Sequence, residues 1–272
     1  MHHLCLSAWL AISLPIATGP DKDQSREEAA DADRLCAAEL TRWRLTVDGI
    51  DLEAPKESAL RWTNPFAGRV YGNTYVWLQN GRPAAATCLY RYFDPFQSFN
   101  GEVAALTGTK LVAQRDNTVI WRPKAEWKWH PIPNAAKPAE SAAQRLVQMR
   151  ALAREFTVEI LDTRNLAGGE DQRPRLLPKP LYRYDAEQTK TLDGALYAFV
   201  LGTDPELLLL LECDTAEAKP AWRFGVGRMN RYLIRLKYKG EKVWEAAALK
   251  DNGLQESYRF LDLGLPRREP KP

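Results

Sequence analysis

The sequence predicts an α+β fold, mostly β: two antiparallel β lobes, a helix at the N-terminus and a helix between the lobes. Two observations carry this. Residues 45–131 and 157–239 are dominated by alternating or apolar runs of strand length, punctuated by turn residues. Two capping boxes, Ser25/Glu28 and Ser141/Gln144, each open a run of helical periodicity. The composition, 45% hydrophobic and 27% charged over 272 residues, is that of a globular chain with a sizeable core and excludes a disordered one.

The elements follow in order. No charged residue precedes Asp21, and Leu4 to Ala17 is almost wholly apolar. At about 14 residues this run is too short for a bilayer, which needs about 20. With Ala17, Thr18 and Gly19 behind it, residues 1–19 read as a signal peptide, although Met1-His2-His3 carries no Lys or Arg. The expectation is export to the periplasm or beyond, with no transmembrane span, since no later apolar run is longer. A helix is expected over about 26–43, with Ala29, Ala32, Cys36, Leu40 and Trp43 as its apolar stripe.

Asn80-Gly81 marks a two-residue hairpin turn between 70–79 and 82–93, because both positions of a type I′ turn need positive φ. That register sets Trp77 opposite Ala84, Tyr75 opposite Ala86 and Tyr71 opposite Tyr90. Further strands are expected at 102–106, 110–114, 117–121 and 126–132, with Asp116-Asn117 as a turn. Pro131, Pro133 and Pro138 mark a linker. The helix behind Ser141 has Ala142, Leu146, Met149, Ala153 and Phe156 on one face and Arg145, Arg150 and Arg154 on another. In the second lobe, strands are expected at 157–163, 181–184, 195–201 and 231–239, with Leu166–Asp171 as a turn. Asp204-Pro205 has the form of a helix start, but the apolar run behind it is short enough for a buried strand. The domains are therefore 20–136, a helix plus a basic, aromatic-rich β lobe, and 137–265, the linker helix plus a second β lobe. Residues 266–272 form a proline-rich tail expected to be disordered. Leu89-Tyr90-Arg91-Tyr92 recurs as Leu181-Tyr182-Arg183-Tyr184, too short an echo to establish a repeat.

Charge is uneven. Residues 20–60 hold six Lys/Arg and eleven Asp/Glu, whereas 61–155 hold thirteen and six. The simplest reading is two surfaces that attract each other across the fold. Cys36, Cys88 and Cys213 stand among apolar residues and read as buried thiols.

Several segments resemble a known family. These are Leu60-Arg61-Trp62-Thr63-Asn64-Pro65, Val70-Tyr71-Gly72, Val76-Trp77, Asn80-Gly81-Arg82-Pro83, Gln148-Met149-Arg150-Ala151-Leu152-Ala153 and Leu196–Glu206. Together they resemble a family of uncharacterised exported proteins of planctomycete-type bacteria, over about residues 43–250. The resemblance implies export and a single ancestral fold, and supplies no activity. It also implies that any histidine-dependent site of such chains is missing here, where Glu102-Val103-Ala104-Ala105-Leu106 stands.

Diagnostic chemistry is sparse. Behind the signal segment His130 is the single histidine, and no G-x-S-x-G elbow accompanies it. One histidine and three scattered cysteines make no zinc site, and no cofactor motif stands out. Gly225-Val226-Gly227 lacks the third glycine of a phosphate loop and reads as a turn or bulge. Asp94, Glu102, Glu212 and Asp214 lie by apolar strands, and two of them on facing strands would make a hydrolase pair. The positive signal is aromatic. Tyr75, Trp77, Tyr90, Tyr92, Trp127 and Trp129 fall in the basic stretch, and in a strand Trp127 and Trp129 share a face. Such rings stack on sugars or hold an anionic polymer. The expected function is a non-catalytic binding protein of the envelope or extracellular space, its partner a glycan or protein rather than nucleic acid. The alternatives are a carboxylate-pair hydrolase on envelope polysaccharide and a structural assembly component.

Overall fold

The computed structural model describes residues 22–124, 127–161, 171–185, 189, 191–214 and 220–265. The expected signal segment, the tail from 266 and most of the 166–171 turn lie outside them.

The first half runs α1 (Lys22–Leu40), β1 (Trp43–Val47), β2 (Ile50–Asp51), β3 (Leu60–Thr63), β4 (Arg69–Gln79), β5 (Arg82–Asp94), β6 (Ser98–Ala105), β7 (Leu111–Arg115) and β8 (Thr118–Trp121). A short β9 (His130–Pro131) follows in the linker. The second half runs α2 (Ala142–Arg154), β10 (Phe156–Leu161), β11 (Arg175–Leu176), β12 (Tyr182–Asp185), β13 (Asp193–Leu201), β14 (Asp204–Asp214), β15 (Ala221–Arg228), β16 (Leu233–Tyr238), β17 (Glu241–Ala246) and β18 (Tyr258–Asp262). Every strand pairing among them is antiparallel. The mostly β, two-helix class predicted from sequence is the observed one.

The strands form four sheets, ordered β2-β1-β7-β8, β18-β6-β5-β4-β3, β11-β13-β14-β15-β9 with β12 also on β13, and β10-β16-β17. Three apolar layers hold them together. Cys36 and Leu40 of α1 join Trp43, Leu45, Tyr75 and Trp77 under the first small sheet. Met149 and Ala153 of α2 join Phe156, Tyr197 and Phe224 under the second. Between them the two large sheets face each other through Trp62, Val76, Tyr90, Leu196, Leu208 and Leu210. The long apolar runs of β13 and β14 follow from this. A strand buried on both faces has no polar face to alternate with.

The second half repeats the first. The turn residue behind each helix donates to the helix's last turn, Arg42 N to Glu39 O at 3.0 Å and Glu155 N to Leu152 O at 3.1 Å. The same residues accept from equivalent hairpin turns, Arg42 O from Asp116 N at 3.0 Å and Glu155 O from Lys239 N at 2.9 Å. Trp62 lies over Gly72 in β3–β4, and Tyr184 lies over Gly194 in β12–β13. Those glycines are required, since an added Cβ would come within 2.4 Å of the Trp62 ring and 2.3 Å of the Tyr184 ring. The halves also exchange edge strands. β9 adds to β15 of the second half, and β18 adds to β6 of the first. Ile132 N donates to Trp222 O and Leu263 N to Phe99 O, each at 3.0 Å. The exchange is reciprocal, as at an isologous dimer contact. The Leu-Tyr-Arg-Tyr echo is not in this repeat's register. Tyr90 faces Gly72 as Glu212 faces Gly194, so Tyr90 corresponds to Glu212 rather than to a tyrosine.

Several expectations need correcting. The Asn80-Gly81 turn is present with φ of 50° and 78°, but a bulge between Trp77 and Leu78 shifts the hairpin by one residue. Trp77 therefore faces Ala85, Tyr75 faces Thr87 and Tyr71 faces Arg91, which sends Tyr90 to the opposite side of the sheet. α1 begins before Ser25, so that residue is no N-cap, and Trp43 belongs to β1. Ser141 does cap α2, accepting from Gln144 N at 3.3 Å. Arg145, assigned with Arg150 and Arg154 to a face apart from the apolar one, is buried against Asp193 at 2.9 Å, which rotates the inward face of α2 and leaves Ala142 exposed. α2 covers the second half, and it is α1 that covers Trp77. Residues 127–129 are not strand, so Trp127 and Trp129 do not share a strand face and instead meet edge to face. Gly225 and Gly227 lie inside β15, not at a turn. Trp127 covers Gly225 as Trp62 covers Gly72. The acidic helix meets the basic stretch as its charge suggests, through Asp31–Arg91, Glu39–Arg115 and Glu28–Arg69. Cys36, Cys88 and Cys213 are buried and free.

Candidate functional site

The repeat places two equivalent corners at the ends of the central interface. Arg82 opens β5 and Tyr90 lies toward its far end, about 26 Å on at about 3.3 Å per residue.

The first corner is closed around Glu212, whose side chain is 0% exposed. Its carboxylate accepts from Arg82 Nη2 at 2.6 Å and from Arg223 Nε and Nη2 at 3.0 and 2.9 Å. Thr191 Oγ1 and Tyr184 OH donate from 2.7 and 3.2 Å. Both guanidiniums lie over the Trp129 ring, at 4.9 and 4.6 Å from its centroid. Arg223 also holds Asp214 at 2.6 Å. A buried anion is tolerated only when paired and hydrogen-bonded, and here every demand is met within the protein.

The second corner is open. Its floor carries Glu102 on β6 and Asp204 and Glu206 on β14, and a cleft of about 240 Å³ opens on all three. A bulge leaves Glu206 as the extra residue of β14, and both Asp204 and Glu206 line the cleft. Tyr90 OH donates to Glu102 at 2.9 Å, Asn64 Nδ2 to Asp204 at 3.1 Å and Asn230 Nδ2 to Glu206 at 2.8 Å. Thr203 fastens the β13–β14 turn to β3, donating from its backbone N to Thr63 O at 3.0 Å. Among the described residues no Lys, Arg or His lines the cleft. Burial therefore dominates the electrostatics. It pushes Glu102 up to about 8, with the neighbouring Glu206 charge adding to the rise against hydrogen bonds from Tyr90 and Tyr258. Burial likewise pushes Glu206 up to about 7, and burial with the charges of Glu206 and Glu102 raises Asp204 well above the usual carboxylate range.

The rim is aromatic. Trp62, Tyr90, Tyr92 and Phe96 form a ladder of neighbouring rings with centroids 5.2, 5.8 and 5.6 Å apart, from the core to the surface. Phe66 lines the cleft beside Tyr92 and is 86% exposed, and Phe96 is 60% exposed. Asn64 is only 6% exposed, yet its Oδ1 has no hydrogen-bond partner.

The six aromatic residues singled out from sequence thus separate. Tyr90 and Tyr92 come together in the cleft. Tyr75 and Trp77 lie in the core beneath α1, where Trp77 Nε1 donates to Thr87 Oγ1 at 3.2 Å. Trp127 and Trp129 are half-buried at the second large sheet. Of the four carboxylates, Glu102 lies in the cleft, Glu212 and Asp214 belong to the closed corner, and Asp94 ends β5 at the surface. Sequence reasoning missed Asn64, Phe66, Asp204 and Glu206. The available signal was Asp204 and Glu206, two acids one residue apart at the mouth of an apolar strand. Among the described residues no group of His, Cys, Asp and Glu is placed to hold a metal ion. Comparison with protein families, curated proteins and solved structures finds no match.

Proposed function

We propose that this chain is an exported, non-catalytic glycan-binding protein of the cell envelope or extracellular space, and that its ligand sits in the cleft over Glu102, Asp204 and Glu206. The observation that carries the reading is the pairing of an exposed aromatic rim, Phe66, Tyr92 and Phe96, with a floor of carboxyl and amide groups. Neutral sugars present apolar C–H faces and hydroxyls, and rings beside polar groups match both. The short apolar N-terminus supports export.

A carboxylate-pair hydrolase is the second reading, favoured by the same three carboxyls. A retaining or inverting pair needs one protonated and one ionised member. Here burial raises all three together instead of splitting them, which favours binding over catalysis.

The test is calorimetric titration of the mature protein with oligosaccharides from envelope polysaccharides, neutral, amino and acidic. Binding should weaken about tenfold or more in Phe66→Ala and Phe96→Ala, as expected for aromatic anchors. No binding by any class, or binding indifferent to both changes, would overturn the proposal. Product formation by wild type, lost in Glu102→Gln, would establish the hydrolase instead.

A further inference from the structure

The two corners, compared position by position, point to the ligand's charge; the inference rests on the glycan reading above. In the closed corner Arg82 and Arg223 neutralise Glu212. The repeat puts Asp204 where Arg82 stands and Asn100 where Arg223 stands, since Gly194 and Glu212 align with Gly72 and Tyr90. The open corner therefore gathers three carboxyls and lacks both arginines.

A second observation is an unpartnered acceptor on a residue of the cleft lining. Asn64 spends its Nδ2 on Asp204, and its buried Oδ1 faces no protein donor. An acceptor without a donor calls for a ligand that donates. A neutral hydroxyl would serve Asn64 but give the clustered carboxyls no counter-charge on ionisation, and an acidic sugar would oppose that ionisation. The Phe66 and Tyr92 rings at the rim attract cations through their faces. We propose that the cleft takes an amino sugar bearing a free amine, bound as its ammonium by Asp204, Glu206 and Asn64 Oδ1. The ligand supplies the cation that Arg82 and Arg223 supply in the other corner.

The test compares glucosamine oligomers with N-acetylglucosamine and glucose oligomers of the same length and linkage, by calorimetry on the mature protein. The free-amine oligomer should bind at least about tenfold tighter than either, because its hydrogen bonds are charge-assisted. Asp204→Asn and Glu206→Gln should abolish that preference, with thermal midpoints confirming the fold. Binding should also strengthen between about pH 5 and about pH 7, because the ammonium requires ionised carboxyls, and should release protons. The groups facing the site are Cys88, Tyr90 and Tyr92 of β5, Glu102 of β6, Asp204 and Glu206 of β14, Tyr258 of β18, and Tyr232. The tyrosines whose shifts are resolved and Cys88 are all raised by burial, which leaves the carboxyls to titrate in that range. Equal or tighter binding of the acetylated or glucose oligomer, still sensitive to Phe66→Ala, would overturn the amine and leave the glycan site standing. Binding of no oligomer at all would overturn both. Phe66→Ala, at an exposed rim position, keeps the test decisive should an acidic variant fail to fold.

Discussion

Arg82 and Asp204 open equivalent strands in the two halves and place a guanidinium and a carboxyl in opposite corners of the central interface. Around Arg82 the corner is closed by a saturated ion cluster. Around Asp204 it is an acidic cleft with an aromatic rim. One duplicated scaffold thus holds a closed corner and an open one.

The closed corner is structural in this account. Arg223→Ala removes two of the hydrogen bonds to a carboxylate that has no access to water. The variant should lose about 3–5 kcal/mol, the range for breaking a buried pair by deleting one partner. Arg82→Ala should lose less, because its side chain is the more exposed of the two. Urea midpoints of the two variants check the order.

The glycines under aromatic rings make a second prediction. Gly72→Ala and Gly194→Ala each drive a methyl into a ring of the neighbouring strand, Trp62 and Tyr184. Each should cost about 1–3 kcal/mol, as overpacking does. Gly240→Ala, which has open space around it, is strained only by its φ of 86° and reports that separate effect. Thermal denaturation of the three variants distinguishes a steric cost from a backbone one.

Stability should fall with rising pH across the range where the cleft carboxyls titrate. Glu102 and Glu206 have folded values of about 8 and about 7, above the unfolded carboxylate value. Between the unfolded and folded values the native state binds more protons than the unfolded state, so the slope of stability against pH is negative there. The protein should be more stable near pH 5 than near pH 8, and the Glu102→Gln/Glu206→Gln double variant should flatten that slope. Chemical denaturation of both proteins at several pH values measures it.

Much of the fold could be read from residue patterns. The Asn80-Gly81 turn, the Ser141 cap and the alternation from Tyr232 to Tyr238 are local signals, and each has its counterpart in the structure. The bulge at Trp77/Leu78 has no local signature, and one extra residue moves Tyr90 to the other face. The repeat was hidden because equivalent positions share geometry rather than residue type. Trp62 corresponds to Tyr184, Cys36 to Met149 and Arg82 to Asp204. The cleft was half legible. Glu102, Tyr90 and Tyr92 drew attention as a carboxylate and as rings, but Asp204 and Glu206 meet them only through packing of the two halves. Sequence spacing carries no record of that meeting.

Hydrogen–deuterium exchange on the protein saturated with its tightest-binding oligosaccharide tests the central claim most directly. Protection should concentrate at residues 64–67, 90–102 and 203–206, the segments that build the cleft and its rim. It should diminish in Phe66→Ala at the same ligand concentration. Protection confined to the neighbourhood of Trp127 and Trp129, with the cleft segments unchanged, would contradict the account.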